Sequence, residues 1–583
     1  NQFILYLYFS YASAATRFCG DPSLNEACRS MNAVKDPPDT SERSSWPRVD
    51  AIGVHALLGG RSEFAFLDVR EEGLFNTGHP LTIVSAPFSH LETRLAALVP
   101  RRTTRIVLMD QRDEGLAERA ARRMARWGYT DISILRDGLQ GWRDAGLEVF
   151  AGIYVPSKAF GEFVEHRYGT PAIDAAELRR WIDQGKDMLI LDSRPYSEFH
   201  NYSLPGGIDC PGAELVHRAF DLVEREETTI VVNCAGRTRG IIGAQSLINA
   251  GIRNPVVCVR NGTAGWHLSG ETMARGSRAV APPPTPRGLA SAIEASLRVS
   301  RRFGVREIDA ARLRQLQAES ARSLYVFDVR SPEEYEAGHI PGTRSAPGGQ
   351  LIQSTDHYVG TRGARIVLCD DNGVRARMTA SWLVQLGWAE VFVLTGGLGA
   401  CGALEKGVEA VELLAPAAAV GVERINVLDL DRLLKAGEAV VVDLASSLRF
   451  RSRHIPGAWF AVRSRLEEGL AQVAASAPKG ARLVLTSDDG AFAAIAAADA
   501  TAASRLPVSL LEGGTTAWAA AGLPLASGLE NMTSVTDDVW YSPYDYDDLR
   551  KSMTDYLTWE IDLIRQIERD RSLQFRYFPP NAT

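Results

Sequence analysis

The chain is 583 residues long, with 45% hydrophobic and 23% charged residues and a formal net charge of −7. That length suits roughly four domains of 100–200 residues each. The acidic balance argues against a nucleic-acid partner, and no apolar run reaches the ~18 residues of a membrane span, so no membrane partner is expected.

Residues 1–47 precede the first patterned segment. Phe3 to Phe9 is apolar and leads to Ala12-Ser13-Ala14, which has the form of a signal cleavage site, yet no basic residue precedes Arg17. The segment is read as signal-like or disordered. The seven cysteines, at positions 19, 28, 210, 234, 258, 369 and 401, show no paired metal spacing. A sparse, odd set fits free thiols in a reducing, cytoplasmic compartment; export would instead let Cys19 pair with Cys28. No metal and no cofactor are expected.

Beyond residue 48 the chain repeats. Asp68-Val69-Arg70, Asp192-Ser193-Arg194, Asp328-Val329-Arg330 and Asp443-Leu444-Ala445 each close an apolar, strand-like run. Eleven residues after each Asp stand His79, Ser203, His339 and His454, each followed within two residues by Pro. A Gly-rich turn near the end of each unit leads to Trp142, Trp266, Cys401 and Trp518, which lie 74, 74, 73 and 75 residues after the Asp. Four units agreeing at three landmarks indicate whole small domains rather than solenoid turns. They span residues 48–150, 165–275, 303–408 and 420–526. Within the segment 276–302, Ala281-Pro282-Pro283-Pro284-Thr285-Pro286 reads as a stiff linker that divides the molecule into two pairs. Leu414-Ala415-Pro416-Ala417 joins the last two units. The extension 527–583 holds an aromatic, acidic stretch from Asp537 to Tyr544 and a helix-like stretch from Asp547 to Arg569. Such a segment is expected to pack back on its own domain or on a twin subunit in a homodimer.

The chemistry concentrates in the second unit. The run Thr229-Ile230-Val231-Val232-Asn233 ends in Cys234-Ala235-Gly236-Arg237-Thr238-Arg239-Gly240, and a helix-like segment from Ile241 to Ala250 follows. In a strand, tight loop and helix of this kind, backbone N–H groups and the positive helix end converge on one point and stabilise an anion. A thiolate placed there has a lowered pKa and is a nucleophile. Arg237 and Arg239 add positive charge that would orient an anionic donor. The step of 42 residues from Asp192 to Cys234 lands on Asp110 and Asp370 in the first and third units, and the aligned residue of the fourth is Ser487. Cys369 falls one residue early, at the strand end, and reads as core, as does Cys258. Cys210 reads as a packing residue rather than a resolving thiol.

Together these features resemble the rhodanese family of sulfurtransferases: the Asp-x-Arg strand end, the His-Ile-Pro-Gly turn, the cysteine loop before a helix and the Gly-Gly…Trp ending. The chain looks like a four-repeat tandem thiosulfate sulfurtransferase. The resemblance implies an α/β fold of four domains, each a mostly parallel central sheet flanked by helices, with a helical C-terminal extension. It also implies a catalytic cysteine that cycles between thiol and persulfide, with thiosulfate or another sulfane-sulfur donor and a thiol or cyanide acceptor as partners. Carried over residue by residue, Cys234 matches the catalytic position and Ala235, Gly236, Arg237, Thr238, Arg239 and Gly240 match the substrate-binding loop. Asp110, Asp370 and Ser487 depart from it, which makes units one, three and four inactive. In two-domain members an inactive repeat helps frame the active cleft, and unit one is expected to do so for unit two.

The second unit has Ser203 in the histidine slot, so the histidines read as turn residues and the loop amides must activate the thiol. Asp192 and Arg194 read as supporting residues, with Glu198 a candidate carboxylate partner for Arg194. Trp266 reads as packing. Two rivals remain: a scaffold or persulfide sensor built of inactive repeats, and a cysteine phosphatase. The latter usually has Cys-x5-Arg, whereas here position 240 is Gly and the arginines stand three and five residues after Cys234.

Overall fold

The computed structural model describes residues 46–60, 62–415 and 421–579. The signal-like segment with Cys19 and Cys28, and the Pro416-Ala417 part of the last junction, lie outside the described residues. Among the described residues no helix is long and apolar enough to cross a membrane.

Four five-stranded sheets follow one another along the chain, and each has the same strand order, first-fifth-fourth-second-third. Every ladder is parallel. In the second unit the strands are Ala172–Ile173, Met188–Asp192, Ile208–Asp209, Thr229–Asn233 and Val256–Val259. The central run Thr229–Asn233 is buried throughout, as a β-branched strand covered by helices on both faces must be. Asp192 pairs in register with Asn233. The loops leaving the second and fourth strands therefore start side by side at the carboxyl end of the sheet, where the strand order reverses and open α/β sheets bind ligands.

Each unit opens on a capped helix. Asp50, Asp174, Asp309 and Asn426 accept hydrogen bonds from the N–H groups of Gly53, Glu177, Arg312 and Asp429 in the exposed first turn. Near the end of units one, two and four a tryptophan is sealed in the core. Trp142, Trp266 and Trp518 donate through Nε1 to the carbonyls of Glu148, Thr272 and Pro524, at 2.8, 3.0 and 2.8 Å. In the third unit Cys401 takes that place, and the helix shrinks to a 3-10 turn, Leu398–Cys401.

The stiff linker expected between units two and three holds only as far as Thr285. Pro286–Phe303 is a helix, with Pro286 at its first position, where a missing N–H costs nothing, and the Thr285 hydroxyl accepting from Gly288 N–H at 3.2 Å. Ala292, Ala295, Val299 and Phe303 recur at helical spacing and are buried. This face packs against the helices Glu214–Leu222 and Val374–Gln385, so one apolar core runs from Ile230 and Leu247 of unit two to Phe327 and Leu383 of unit three. The division into two pairs is corrected accordingly: small residues on the connecting helix let the neighbouring helices close around it.

The C-terminal extension packs on its own chain. Its helix, Leu549–Asp570, lies against the helix Val155–Tyr168 that connects units one and two. The Phe575 ring then sits 5.2 Å from those of Phe160 and Phe163.

Candidate active site

Cys234 is the first residue after the Thr229–Asn233 strand and is 2% exposed. The loop that follows is tied to the Gly-rich turn of the same unit: the Cys234 and Ala235 carbonyls accept from Thr263 and Ala264 N–H, each at 2.9 Å. Gly262 makes this approach possible. It has φ +53°, and a Cβ there would lie 2.2 Å from the Cys234 carbonyl oxygen. Beyond the loop, the helix Thr238–Ala250 begins, and Gly240 stands against the sulfur: a Cβ there would lie 3.4 Å from Cys234 Sγ.

The other three units show what this loop does with its first side chain. Asp110 accepts from the N–H groups of Asp113 at 2.7 Å and Ala117 at 3.0 Å. Asp370 accepts from those of Gly373, Arg375 at 2.9 Å and Ala376 at 3.2 Å. The Ser487 hydroxyl accepts from Ala493 N–H at 3.2 Å. Main-chain donors converge on this position in every unit, and in two of them they hold a carboxylate. Only in the second is the occupant sulfur.

Electrostatics at Cys234 run in both directions. Burial pushes its thiol above the usual range, while Arg239 and the Gly240 N–H pull it down, and Glu560 and Asp192 push it up. The lowered pKa expected from the loop is therefore not what the closed site gives. Desolvation outweighs the donors when no bulk water reaches the sulfur.

The arginines expected to orient a donor are both engaged. Arg239 makes a two-pronged pair with Glu198, at 2.7 and 2.8 Å, and donates to Gln350 Oε1 of unit three at 3.2 Å. Arg237 is buried and paired with Glu162, at 2.7 Å through Nη2, and with Glu165. The Arg239 charge pulls the Cys234 thiol down. Arg194 does not use Glu198. It forks onto Asp192 at 2.8 and 2.7 Å and donates to the Tyr202 carbonyl at 2.7 Å. Asp192 also accepts from the Arg194 N–H and from the Asn233 side chain, each at 3.1 Å. Asp192 and Arg194 thus lock the ends of the two central strands from which the loops depart.

The histidine slot is structural in each unit that has it. His79, His339 and His454 stack on Phe75, Tyr335 and Phe450 at 3.9, 3.8 and 3.9 Å. Ser203 instead bonds Ser277 at 2.8 Å. Cys210, Cys258 and Cys369 are all buried.

Two parts of the site escape any reading of the repeats. The loop is walled from outside unit two. Its neighbours are the connecting helix Val155–Tyr168, Gln350 of unit three, and the C-terminal helix. Gly161 abuts Thr238 so closely that a Cβ would stand 2.9 Å from the Thr238 Cα. Tyr556, Leu557 and Glu560 roof Gly236, and Glu560 Oε1 accepts from the Thr238 hydroxyl at 2.7 Å. Thr238 and Glu560 are 322 residues apart, and an amphipathic tail signals packing without naming what it packs on.

The rhodanese-like domain model matches residues 54–145, 174–269, 309–402 and 426–521. The crystal structure of a thiosulfate sulfurtransferase from Pseudomonas aeruginosa is 43% identical and superposes with a TM-score of 0.86, covering 91% of this chain and 100% of that one. Among curated relatives, the uncharacterised protein YqhL of Bacillus subtilis is 36% identical over 76 residues, which is 13% of this chain and 59% of that protein. The thiosulfate sulfurtransferase GlpE of Pseudoalteromonas translucida is 28% identical over 76 residues, 13% of this chain and 69% of that protein.

Proposed function

We propose, for a chain that belongs to the rhodanese-like domain family, sulfur transfer from thiosulfate or a similar sulfane donor to a thiol or cyanide through Cys234. The Cys234 thiolate attacks the outer sulfur of the donor. An S–S bond forms at Sγ as the donor's own S–S bond breaks, and the electron pair leaves with sulfite. Charge balances: thiolate and thiosulfate dianion become persulfide anion and sulfite dianion. An acceptor thiolate or cyanide then takes the outer sulfur and returns Cys234 to the thiolate. Covalent transfer of this kind gives ping-pong kinetics.

One observation carries the reading. A sulfur stands where the equivalent loops of two sister units use their main-chain N–H groups to hold a carboxylate. A cradle that suits a carboxylate suits a persulfide anion, since both are stabilised by converging N–H dipoles. Arg239 and the Gly240 N–H favour the thiolate on which the first step depends. The names of the Pseudomonas and Pseudoalteromonas relatives support the donor class. This chain spans 59% of the length of the Bacillus relative, and donor and acceptor are proposed for it on the strength of the site.

Units one, three and four serve a non-catalytic role, as Asp110, Asp370 and Ser487 themselves occupy the cradle. A phosphatase reading finds no guanidinium at the sixth position after Cys234, where Gly240 stands. The test is mass spectrometry of the whole chain after incubation with thiosulfate. One added sulfur on the Cys234 peptide, absent from Cys234→Ser, is expected. Sulfur transfer at an unchanged rate in Cys234→Ser overturns the assignment.

A further inference from the structure

Arg194, Arg237 and Arg239 each face a carboxylate partner, so none offers the uncompensated charge that an anionic ligand would seek. Lys158 does. It is 2% exposed, and among the described residues its ammonium makes no hydrogen bond or ion pair. It rests over aromatic faces of the C-terminal extension instead, 4.7 Å from the ring centre of Trp559, 4.9 Å from Tyr556 and 5.7 Å from Trp540. Such cation–π contacts hold a cation in place without neutralising it. Burial lowers its pKa to about 8, with Glu560 and Asp356 opposing and Arg239 adding to the fall.

Its place in the fold brings Lys158 to the catalytic loop. On the same helix, Gly161 abuts Thr238 and Glu162 grips Arg237. Glu560 and Arg239 both act on Lys158, and both also act on Cys234. Lys158 also rests on the Tyr556 ring that roofs Gly236, so it stands beside the loop that carries the sulfur.

Glu560 stands on the loop itself. It is 1% exposed; one carboxylate oxygen is held by the Thr238 hydroxyl, and the other is buried with no partner among the described residues. An unpartnered buried carboxylate oxygen is costly to maintain. Here it stands at the mouth of the loop, beside Gly236. The chain holds an anion of its own near the unpaired ammonium and beside the loop of Cys234.

We propose that Lys158 and Glu560 select the sulfur donor: the Lys158 ammonium receives the donor's anionic end, in the space beside Thr238 that the Glu560 carboxylate fills. Binding then requires the C-terminal helix to give way. The carboxylate sets a threshold that a dianion such as thiosulfate crosses by gaining both the ammonium and the Thr238 hydroxyl. This rests on the sulfur-transfer reading of Cys234 and names what holds the donor there.

The test uses the full chain with Cys234→Ser, which cannot turn over, and measures thiosulfate binding by titration calorimetry. Adding Lys158→Met weakens binding by about tenfold or more, Lys158→Arg keeps most of it, and Glu560→Gln tightens it severalfold, as loss or relief of one charge in a buried site requires. Thermal melts of the same proteins separate loss of binding from loss of fold. If Lys158→Met binds thiosulfate as tightly as its parent, or if the parent binds none, the inference is overturned. Sulfur loading of Cys234 in the otherwise unaltered chain is read separately. Loading that persists while binding ignores Lys158 sinks the inference alone; absence of loading from any sulfane donor sinks the reading on which it rests.

Discussion

The loops at Cys234 and Asp370 are built alike. Each follows a buried central strand, each starts a helix, and each carries an arginine five residues on that pairs with the glutamate six residues after the strand-end Asp: Arg239 with Glu198, and Arg375 with Glu334. Each also reaches across the boundary between units two and three, Arg239 to Gln350 and Arg375 to Glu214. They differ in the first side chain and in what lies above it. Asp370 supplies a carboxylate that satisfies the loop amides from within, while Cys234 leaves them a sulfur and is roofed by the C-terminal helix. The comparison teaches that the cradle belongs to the repeat, whereas reactivity depends on which atom occupies it and on the walls brought from elsewhere in the chain.

The sharpest way to break the comparison is to remove the sulfur. Cys234→Ser should lower sulfur transfer by at least roughly a thousandfold, since loss of a nucleophile is not compensated by the groups around it; steady-state assay with thiosulfate reads it. Restoring sulfur to the other loop sharpens the point. Asp370→Cys should become a second site of labelling by iodoacetamide, yet load sulfur from thiosulfate at least about tenfold more slowly than Cys234, because the helix that carries Lys158 abuts the Cys234 loop. Equal loading at both sites would show that the cradle alone suffices.

The paired arginines separate fold from chemistry. Arg375 has no exposed side-chain surface and binds Glu214, Glu334 and Asp371. Arg375→Ala should cost about 3–5 kcal/mol of stability, as a buried network broken from one side does, with sulfur loading of the folded fraction intact. Arg239→Ala should instead slow loading as well, because its charge favours the Cys234 thiolate. Chemical denaturation and rapid sulfur loading read the two effects.

The pH response should also distinguish the sites. Burial raises the Cys234 thiol above its ordinary value of 9.0, and the Glu560 charge adds to the rise. Alkylation of Cys234 should therefore have its midpoint above that value, and Glu560→Gln should move the midpoint down. Thiosulfate binding should fade as pH rises through about 8, where Lys158 loses its proton. The smallest effect belongs to a feature all four units share. Asp174→Ala removes an N-cap and should cost about 1 kcal/mol, read in a thermal melt, without touching activity.

Much of this protein is legible along the chain. The Asp-x-Arg strand ends, the tryptophan slots and the Cys234 loop are local patterns, set by burial of β-branched runs and by the turns between them, and they recur at constant spacing. Glu198 and Asp192 both lie near Arg194 in sequence, and the fork onto Asp192 wins since that carboxylate is already fixed beside it at the strand end. The helix after Pro286 was masked by the proline run before it, although Ala292, Ala295, Val299 and Phe303 carry its spacing.

By itself, the sequence determined four parallel-sheet units and the single thiol at the head of a helix-bound loop, because hydrophobic periodicity and loop length act over tens of residues. Tertiary structure alone decided that burial raises the pKa of that thiol, that both loop arginines are paired with carboxylates, and that the C-terminal helix brings Glu560 to Thr238 and Gly236. Those outcomes depend on side chains far apart in the chain meeting in a desolvated interior, and no pattern along the chain encodes the distance between them.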